Sequence, residues 1–400
     1  MTQLLPCPPG GPDRRELQES MLHWLYSPEL TTLMSRFGGA LPRGTSRPDG
    51  MPPHDDSAPV GVPPRNGSGA GGALPRDGSG AGGVPPRGDS GGRGPLPRDG
   101  SGSGGVPPRD DSDARGPLPR DGSGSGGALP LDGLAEALQA ADDFSAAAWD
   151  FRHGAERADA AVREFPPDVA DLVRAAAAAL GLSGRNRPPS ARYDHALVLG
   201  GRVRSGFARA RHLARLLASG VRVGRTAGLA SFRPLGAEAA DARLALDAGL
   251  THRGGLANEG GLAHEGGLAH RDVLARYGGL APDATEADGL RLALRQALGP
   301  VDVVAAQPSR PGARAHTGDT LTAWAESVGG GLRGARVLLV TTDLYVPFQH
   351  ADAVRLLGLP HGCGVDTVGF AWPDAPVSAV LQEIRSTIRS MRALHAATLQ

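Results

Sequence analysis

The chain has 400 residues, among them 60 glycines and 35 prolines, and its 42 acidic residues balance 42 basic ones, which gives a formal net charge of zero. Such a balance argues against attraction of the whole chain to nucleic acid or to an anionic membrane. All basic residues are arginines, which excludes a Walker-type phosphate loop and Schiff-base chemistry, and the two cysteines are too few for a disulfide framework or a Cys-rich zinc site.

The first 190 residues predict helices interrupted by a long insertion. Apolar side chains recur at helical spacing over residues 14–37, Leu134–Ala141, Phe144–Arg157 and Pro167–Leu180. Asp142-Asp143 and Pro166-Pro167 are typical helix-start signals. We therefore expect an N-terminal helical domain formed by residues 1–38 and 127–190, which offers a surface for a protein partner.

Two repeat arrays predict regions without a packed core. Residues 39–126 repeat with a period of 11, and residues 248–283 contain a shorter array with a period of six. Each 11-residue unit has one or two small apolar side chains among Pro, Gly, Ser and charged residues. That is too little apolar surface to offset the cost of ordering the backbone, about 1–2 kcal/mol per residue. We expect a long disordered Gly/Pro-rich insertion and a second, flexible one.

Residues 191–376 alternate between apolar runs and amphipathic stretches. The apolar runs predict strands at His195–Leu199, Val221–Leu229, Val301–Ala306, Val337–Val340 and Val365–Phe370. The amphipathic stretches predict helices at Phe207–Leu217, Glu286–Leu298, Thr317–Val328 and Gln349–Leu357, and residues 377–400 form a closing helix. This alternation favours an α/β fold with a doubly wound, mostly parallel, Rossmann-like sheet. In the first of these helices, Arg209, Arg211 and Arg215 are expected to face away from the sheet.

The loops beyond the carboxyl ends of the strands are the expected site, because ligands bind there in such sheets. The turn after the first strand contains Gly200 and Gly201, which let an anion come close to the backbone and to the N-terminus of the next helix. The alternative is that the two glycines only form the tight turn that any such strand–helix connection needs. Helix capping explains Thr317 and Asp319 equally well. The candidates for cofactor binding are Gly200, Gly201, Arg202, Ser231, Thr317, Asp319 and Thr342. The catalytic candidates are Glu286 and Asp343, which can hold a ribose hydroxyl or orient water, and Tyr345.

Seven arginines form a basic cluster: Arg202, Arg204, Arg209, Arg211, Arg215, Arg222 and Arg225. The cluster is either a solvated helix face or a rim that steers anions. The cluster lacks interleaved aromatic residues, so nucleic acid is not an expected partner. No metal site is predicted, since neither of two histidine groups has standard ligand spacing: His252, His264 and His270, and His350, His361 and Cys363.

The order of several short motifs resembles that of the YdcF/SanA/ElyC-like domain family. The motifs are Asp194–Gly201 ending in Leu-Gly-Gly, Thr285–Asp288, His316–Thr320 and Val337–Asp343. The resemblance implies a Rossmann-like sheet with a cleft over these loops, and S-adenosylmethionine as a possible cofactor. The chain departs from the family at His316, where Asn is usual, and at Tyr345, where His and Arg would follow the fourth strand.

The sequence has neither a signal peptide nor an apolar run of the roughly 20 residues that a membrane helix requires, so we expect a soluble cytoplasmic protein. Its expected function is to bind a small anionic or nucleotide-type ligand at the carboxyl ends of the strands, with S-adenosylmethionine as the candidate that the resemblance implies. Whether it is an enzyme, and of which reaction, stays open. The alternative is a non-catalytic interaction or scaffold protein.

Overall fold

A parallel five-stranded sheet lies at the centre of the fold in the computed structural model, which describes residues 5–42, 131–153, 163–235, 280, 283–310 and 314–400. The strands are β1 (Arg192–Leu199), β2 (Arg222–Ser231), β3 (Asp302–Ala306), β4 (Arg336–Thr342) and β5 (Gly364–Phe370). Their order is β3-β2-β1-β4-β5, and every neighbouring pair is parallel. The predicted α/β class with a mostly parallel sheet is confirmed, and all five predicted strands are present.

The sheet is buried on both faces at β4 and over the carboxyl-terminal halves of β1 and β2, which explains why these parts are continuous apolar runs in the sequence. In β1, Leu197 and Leu199 belong to one buried cluster, whereas Ala196 and Val198, which point to the opposite face, belong to another. Side chains alternate between the faces along a strand, so both sets must be apolar when helices cover both sides.

The helices in chain order are α1 (Arg14–Leu25), α2 (Pro28–Arg36), α3 (Leu134–Ala148), α4 (Pro167–Ala179), α5 (Val203–Ala218), α6 (Glu286–Leu298), α7 (Thr317–Val328), α8 (Val346–Ala353) and α9 (Val377–Thr398). After α8 the chain stays helical through a π-helical segment, Val354–Gly358, and a last turn, Leu359–His361. The predicted bounds of α6 and α7 are confirmed at both ends. Capping explains part of this accuracy, because Thr285 and Asp288 form a reciprocal capping box at the start of α6.

The helix start predicted at Asp142-Asp143 is wrong, since α3 runs through both residues to Ala148. Their carboxylates accept hydrogen bonds from side chains, whereas a capping carboxylate accepts them from backbone N–H groups. Gln139 donates to Asp143 at 2.8 Å, and Arg392 of α9 donates to Asp142 at 2.5 Å. Of the helix predicted at Phe144–Arg157, the part beyond His153 lies outside the described residues.

The N-terminal helices share a core with one face of the sheet. Leu17 of α1, Leu33 of α2 and Leu138 of α3 belong to the same buried cluster as Leu197 and Leu339 of the sheet. The division into a helical domain and an α/β domain stays a prediction. Residues 43–126 of the first array lie outside the described residues, as does nearly all of the predicted insertion at 248–283.

The segment before α1 lies along the edge of β5. The backbone N–H of Val365 donates to the carbonyl of Cys7 at 2.8 Å, and that of Gly10 donates to the carbonyl of Gly362 at 3.0 Å. Within the part of the chain that the structure describes, no helix combines the length and the apolarity needed to cross a membrane. The cytoplasmic location stays a prediction.

Candidate anion-binding site

A cavity of about 1400 Å³ lies beyond the carboxyl ends of three neighbouring strands. Leu199 of β1, Ser231 of β2 and Thr342 of β4 line it, together with the loops that follow them. From β1 the chain builds the sheet outward through β2 to β3, and from β4 it builds outward to β5 on the other side. The cavity therefore covers the place where the strand order reverses, which is where parallel α/β sheets bind ligands.

The described residues that line the cavity carry far more positive than negative charge. They provide six guanidinium groups and one carboxylate, that of Glu286. Two helices also begin at the cavity wall, α5 after Arg202 and α7 at Thr317, and helix N-termini favour anions. The arginines are Arg152, Arg202, Arg204, Arg209, Arg233 and Arg314.

Gly200 allows the backbone and the single carboxylate to approach one another. Its N–H donates to the carbonyl of Leu229 at 2.6 Å. A Cβ at position 200 would lie 2.4 Å from Oε1 of Glu286 and 2.7 Å from the Leu229 carbonyl oxygen. Gly201 has a φ of 149°, a conformation that favours glycine. The two glycines thus serve close packing and backbone conformation at the mouth of the cavity.

Glu286, the first residue of α6, is held at the carboxyl end of β2. Its side chain is 6% exposed, and Ser231 donates a hydrogen bond to its Oε2 at 2.6 Å. Guanidinium nitrogens of Arg233 and Arg314 lie 3.7 and 3.9 Å from the same oxygen. The hydroxyl of Ser231 also accepts the backbone N–H of Arg233 at 3.3 Å. This arrangement fixes a carboxylate that can accept a hydrogen bond from a hydroxyl-bearing ligand.

Arg209 connects the ends of β1 and β4, and the prediction that it faces away from the sheet is wrong. It is 2% exposed, and its Nη1 donates to the carbonyls of Leu199, at 2.8 Å, and of Gly200. Its Nη2 donates to the hydroxyl of Thr342 at 3.2 Å. Carbonyl oxygens at the end of a strand need donors, and this cation supplies them, which is why an arginine occupies a buried helix position.

Tyr345 and Thr317 both line the cavity. The ring of Tyr345 is 6% exposed, and the guanidinium carbon of Arg209 lies 5.8 Å from its centre. The hydroxyl of Thr317 accepts a hydrogen bond from Gln349 at 3.2 Å, and Gln349 in turn accepts one from Thr341. The structure thus brings most of the candidates to one cavity: Gly200, Gly201, Arg202, Ser231, Glu286, Thr317, Thr342 and Tyr345.

Two candidate carboxylates do not line the cavity. Asp319 accepts the backbone N–H of His316 at 2.8 Å and so caps α7. Asp343 accepts the backbone N–H groups of Leu344 at 2.8 Å and Trp372 at 3.1 Å, which ties the end of β4 to the loop after β5. Burial raises the pKa of Asp343 above its usual value, although these hydrogen bonds act in the opposite direction. Both side chains support the walls of the cavity.

The basic cluster of the sequence divides in the structure. Arg202, Arg204 and Arg209 line the cavity, whereas Arg222 is exposed at the opposite end of the sheet, where β2 begins. Sequence reasoning missed the aromatic residues Phe348, Phe370 and Trp372, which also line the cavity. Phe370 ends the fifth predicted strand, so the rule that ligands bind beyond strand ends points to Phe370 and Trp372 as well; Phe348 lies inside a helix, where its spacing does not distinguish a core side chain from one that lines a cavity.

Among the described residues, no group of three His, Cys, Asp or Glu side chains is placed to hold a metal ion. His350 lies between the carbonyl of Leu5, at 2.8 Å, and the hydroxyl of Thr367, at 3.0 Å. The other histidine group, His252, His264 and His270, lies outside the described residues.

The fold and the cavity together define an α/β protein with an arginine-lined site at the carboxyl ends of a parallel sheet. Residues 124–181 match the family model of the Rv3785 N-terminal domain. The uncharacterized proteins Rv3785 of Mycobacterium tuberculosis and Mb3814 of Mycobacterium bovis are each 32% identical to the chain over 296 residues, which is 66% of this chain and 81% of each relative. The chain belongs to the family of Rv3785. No solved structure gives a significant match.

These matches correct the resemblance to the YdcF/SanA/ElyC-like family, which is wrong. The motifs that suggested it are short, and their positions explain why they misled. Leu199-Gly200-Gly201 is a strand end followed by a tight turn, and the Thr285 and His316 segments are helix capping boxes. Parallel βα units of any family need such features. S-adenosylmethionine was implied by that resemblance alone and loses its support.

Proposed function

We propose that the protein binds a small molecule bearing phosphate or a comparable anionic group in the cavity at the carboxyl ends of β1, β2 and β4. The single observation that carries the proposal is the charge of the described lining, six arginines against the carboxylate of Glu286, with Arg152 already paired to Glu383 outside the lining. Guanidinium groups pair with phosphate in a bidentate manner. A lining of this charge favours anions over neutral ligands.

We also propose that the sheet is Rossmann-like. The order β3-β2-β1-β4-β5 matches five strands of the order typical of that fold, and the cavity lies where the order reverses. Gly200 and Gly201 at the end of β1, followed directly by the N-terminus of α5, support the placement of the anionic group there. Glu286, held beside the end of β2 by its hydrogen bond with Ser231, is then the group that accepts a hydrogen bond from a hydroxyl of the ligand.

The test is calorimetric titration of the full chain with inorganic pyrophosphate and tripolyphosphate. We expect saturable binding that weakens with salt, because exposed charges are screened. The double variant Arg202→Ala, Arg204→Ala should weaken binding at least about tenfold, since two charge-assisted contacts are worth about 1.4 kcal/mol or more together.

The matched control is Arg222→Ala, which removes an equally exposed arginine from the opposite end of the sheet. It should leave the affinity unchanged. Equal weakening by both changes would show that only the overall charge matters, and the absence of any binding by the unaltered chain would overturn the proposal. In that event the non-catalytic interaction protein becomes the better hypothesis.

A further inference from the structure

One side of the cavity is aromatic rather than cationic. Tyr345 and Phe348 follow β4, and Phe370 and Trp372 stand at the end of β5; all four line the cavity. The rings of Tyr345 and Phe348 meet edge to face, with centroids 5.9 Å apart and planes at 61°. We call these four residues the aromatic wall.

Trp372 is the most exposed member of this wall. It is 37% exposed, which is unusual for so large an apolar side chain, although its backbone is fixed by the hydrogen bond to Asp343 at 3.1 Å. Phe348 and Phe370 are half-buried. Tyr345 is buried like a core residue, whereas the other three, which also line the cavity, are partly exposed. Partly exposed aromatic surface held on a fixed backbone suits stacking with a planar ring.

Three of the arginines and the aromatic wall follow strands on opposite sides of the strand reversal. Arg202 directly precedes α5, Arg204 lies in its first turn, and Arg233 follows β2. The residues of the aromatic wall lie after β4 and at the end of β5. β1 and β2 lie on one side of the strand reversal and β4 and β5 on the other, so a ligand that spans the cavity can contact Arg202, Arg204 and Arg233 with one part and the rings with the other. Arg209 lies between the two parts, 5.8 Å from the centre of the Tyr345 ring.

We infer that the ligand is a nucleoside polyphosphate, whose base stacks on the aromatic wall and whose phosphates contact Arg202, Arg204 and the N-terminus of α5. This inference rests on the proposed anion-binding function and specifies the ligand of the same site. The volume of about 1400 Å³ is above the usual range for small-molecule pockets and has room for a molecule with both parts.

The experiment compares ATP and GTP with inorganic tripolyphosphate on the full chain by calorimetry. Tripolyphosphate carries the phosphates without the nucleoside, and its charge is at least as high. A site that recognises charge alone therefore binds it at least as tightly. Stacking of a base on aromatic rings strengthens binding about 5- to 150-fold, so we expect at least one nucleotide to bind about fivefold more tightly or better.

Trp372→Ala should weaken nucleotide binding about tenfold and leave tripolyphosphate binding unchanged, while Trp372→Phe should keep most of the nucleotide affinity. Unchanged tripolyphosphate binding also shows that the variant is folded. The control is Phe232→Ala, because Phe232 is an exposed aromatic residue, 47% accessible, that follows β2 and does not line the cavity. It should affect neither ligand.

A second measurement uses the intrinsic fluorescence of tryptophan. Trp24, Trp149 and Trp324 are buried, so quenching by acrylamide reports mainly on Trp372. ATP should protect the unaltered chain from acrylamide, and the protection should be absent in Trp372→Phe. Tripolyphosphate that binds as tightly as both nucleotides, with no effect of Trp372→Ala, overturns this inference and leaves the anion site intact. Failure of all three ligands to bind overturns the proposed function as well.

Discussion

Replacing Gly200 by alanine tests whether the cavity wall is as closely packed as its geometry indicates. The added Cβ would lie 2.7 Å from the carbonyl oxygen of Leu229 and 2.4 Å from Oε1 of Glu286. The glutamate can swing away, but the carbonyl belongs to β2 and already accepts the N–H of residue 200. The backbone must therefore shift at the end of β1.

The cost of this substitution has two parts. Overpacking in a close-packed region costs about 1–3 kcal/mol. Displacing Glu286 also breaks its hydrogen bond with Ser231, and hydrogen bonds to charged groups contribute about 1.5–3 kcal/mol. We therefore expect Gly200→Ala to lower the free energy of unfolding by roughly 3–5 kcal/mol. Binding of tripolyphosphate should weaken too, because the start of α5 moves with the turn.

The assay is urea denaturation followed by circular dichroism, with Gly206→Ala as the control. Gly206 lies in α5, and a Cβ there would meet only Cδ1 of Leu290, at 3.7 Å. Alanine is the better helix former by about 1 kcal/mol, so this variant should equal or exceed the unaltered chain in stability. If Gly200→Ala unfolds at the same urea concentration as the unaltered chain, the close packing of position 200 against the carbonyl of Leu229 is refuted.

Three further predictions follow from buried polar groups. Arg209→Leu should lower the free energy of unfolding, measured by urea denaturation, by about 3 kcal/mol or more, since it leaves three acceptors without their donor. Arg211→Leu, which replaces a half-buried neighbour, should cost much less in the same assay. Burial, aided by Arg215, lowers the pKa of His212 from 6.5 to about 4, so its neutral form stabilises the fold above pH 6.5 and that contribution is lost as the pH falls toward 4. His212→Gln should flatten the pH dependence of stability in this window, and an unchanged slope would refute the assignment. Burial raises the pKa of the thiols to about 12 for Cys7 and about 11 for Cys363, so iodoacetamide at pH 8 should modify neither until urea is added; rapid alkylation of the folded chain would contradict the burial.

The strands and the helices beside the sheet were predictable because their local signals agree with the fold. Thr285 and Asp288 cap α6, and the run Val337–Val340 is apolar on both faces because both faces are covered. Asp142-Asp143 misled because an acidic pair that starts a helix looks the same in sequence as one that bonds to a distant arginine. The difference is Arg392, which is 250 residues away and joins Asp142 only after folding.

Part of the candidate site was predictable because ligands of parallel α/β sheets bind beyond the carboxyl ends of the strands. The rest depends on contacts between distant segments of the chain and was not predictable. Gly200, Ser231 and Thr342 follow from the rule. Arg209 was assigned to the surface because a charged residue on an amphipathic helix usually lies there, and only the carbonyls at the end of β1 explain its burial. Arg152 could not be placed at all, since it enters the cavity from the segment after α3.

The first described residues form hydrogen bonds with β5 and α9, and these contacts affect the order in which the fold assembles. The carbonyl of Cys7 meets Val365 at the edge of β5, and Arg14 donates to the carbonyl of Thr398, 384 residues further along the chain, at 2.8 Å. During synthesis both partners emerge after β1 to β4, and long after Cys7 and Arg14. The segment before α1 and the start of α1 around Arg14 therefore stay exposed while β1 to β4 assemble. Closure of the β5 edge is a late event, and until β5 pairs with β4 the open edge of the growing sheet is that of β4, which can pair with a second molecule.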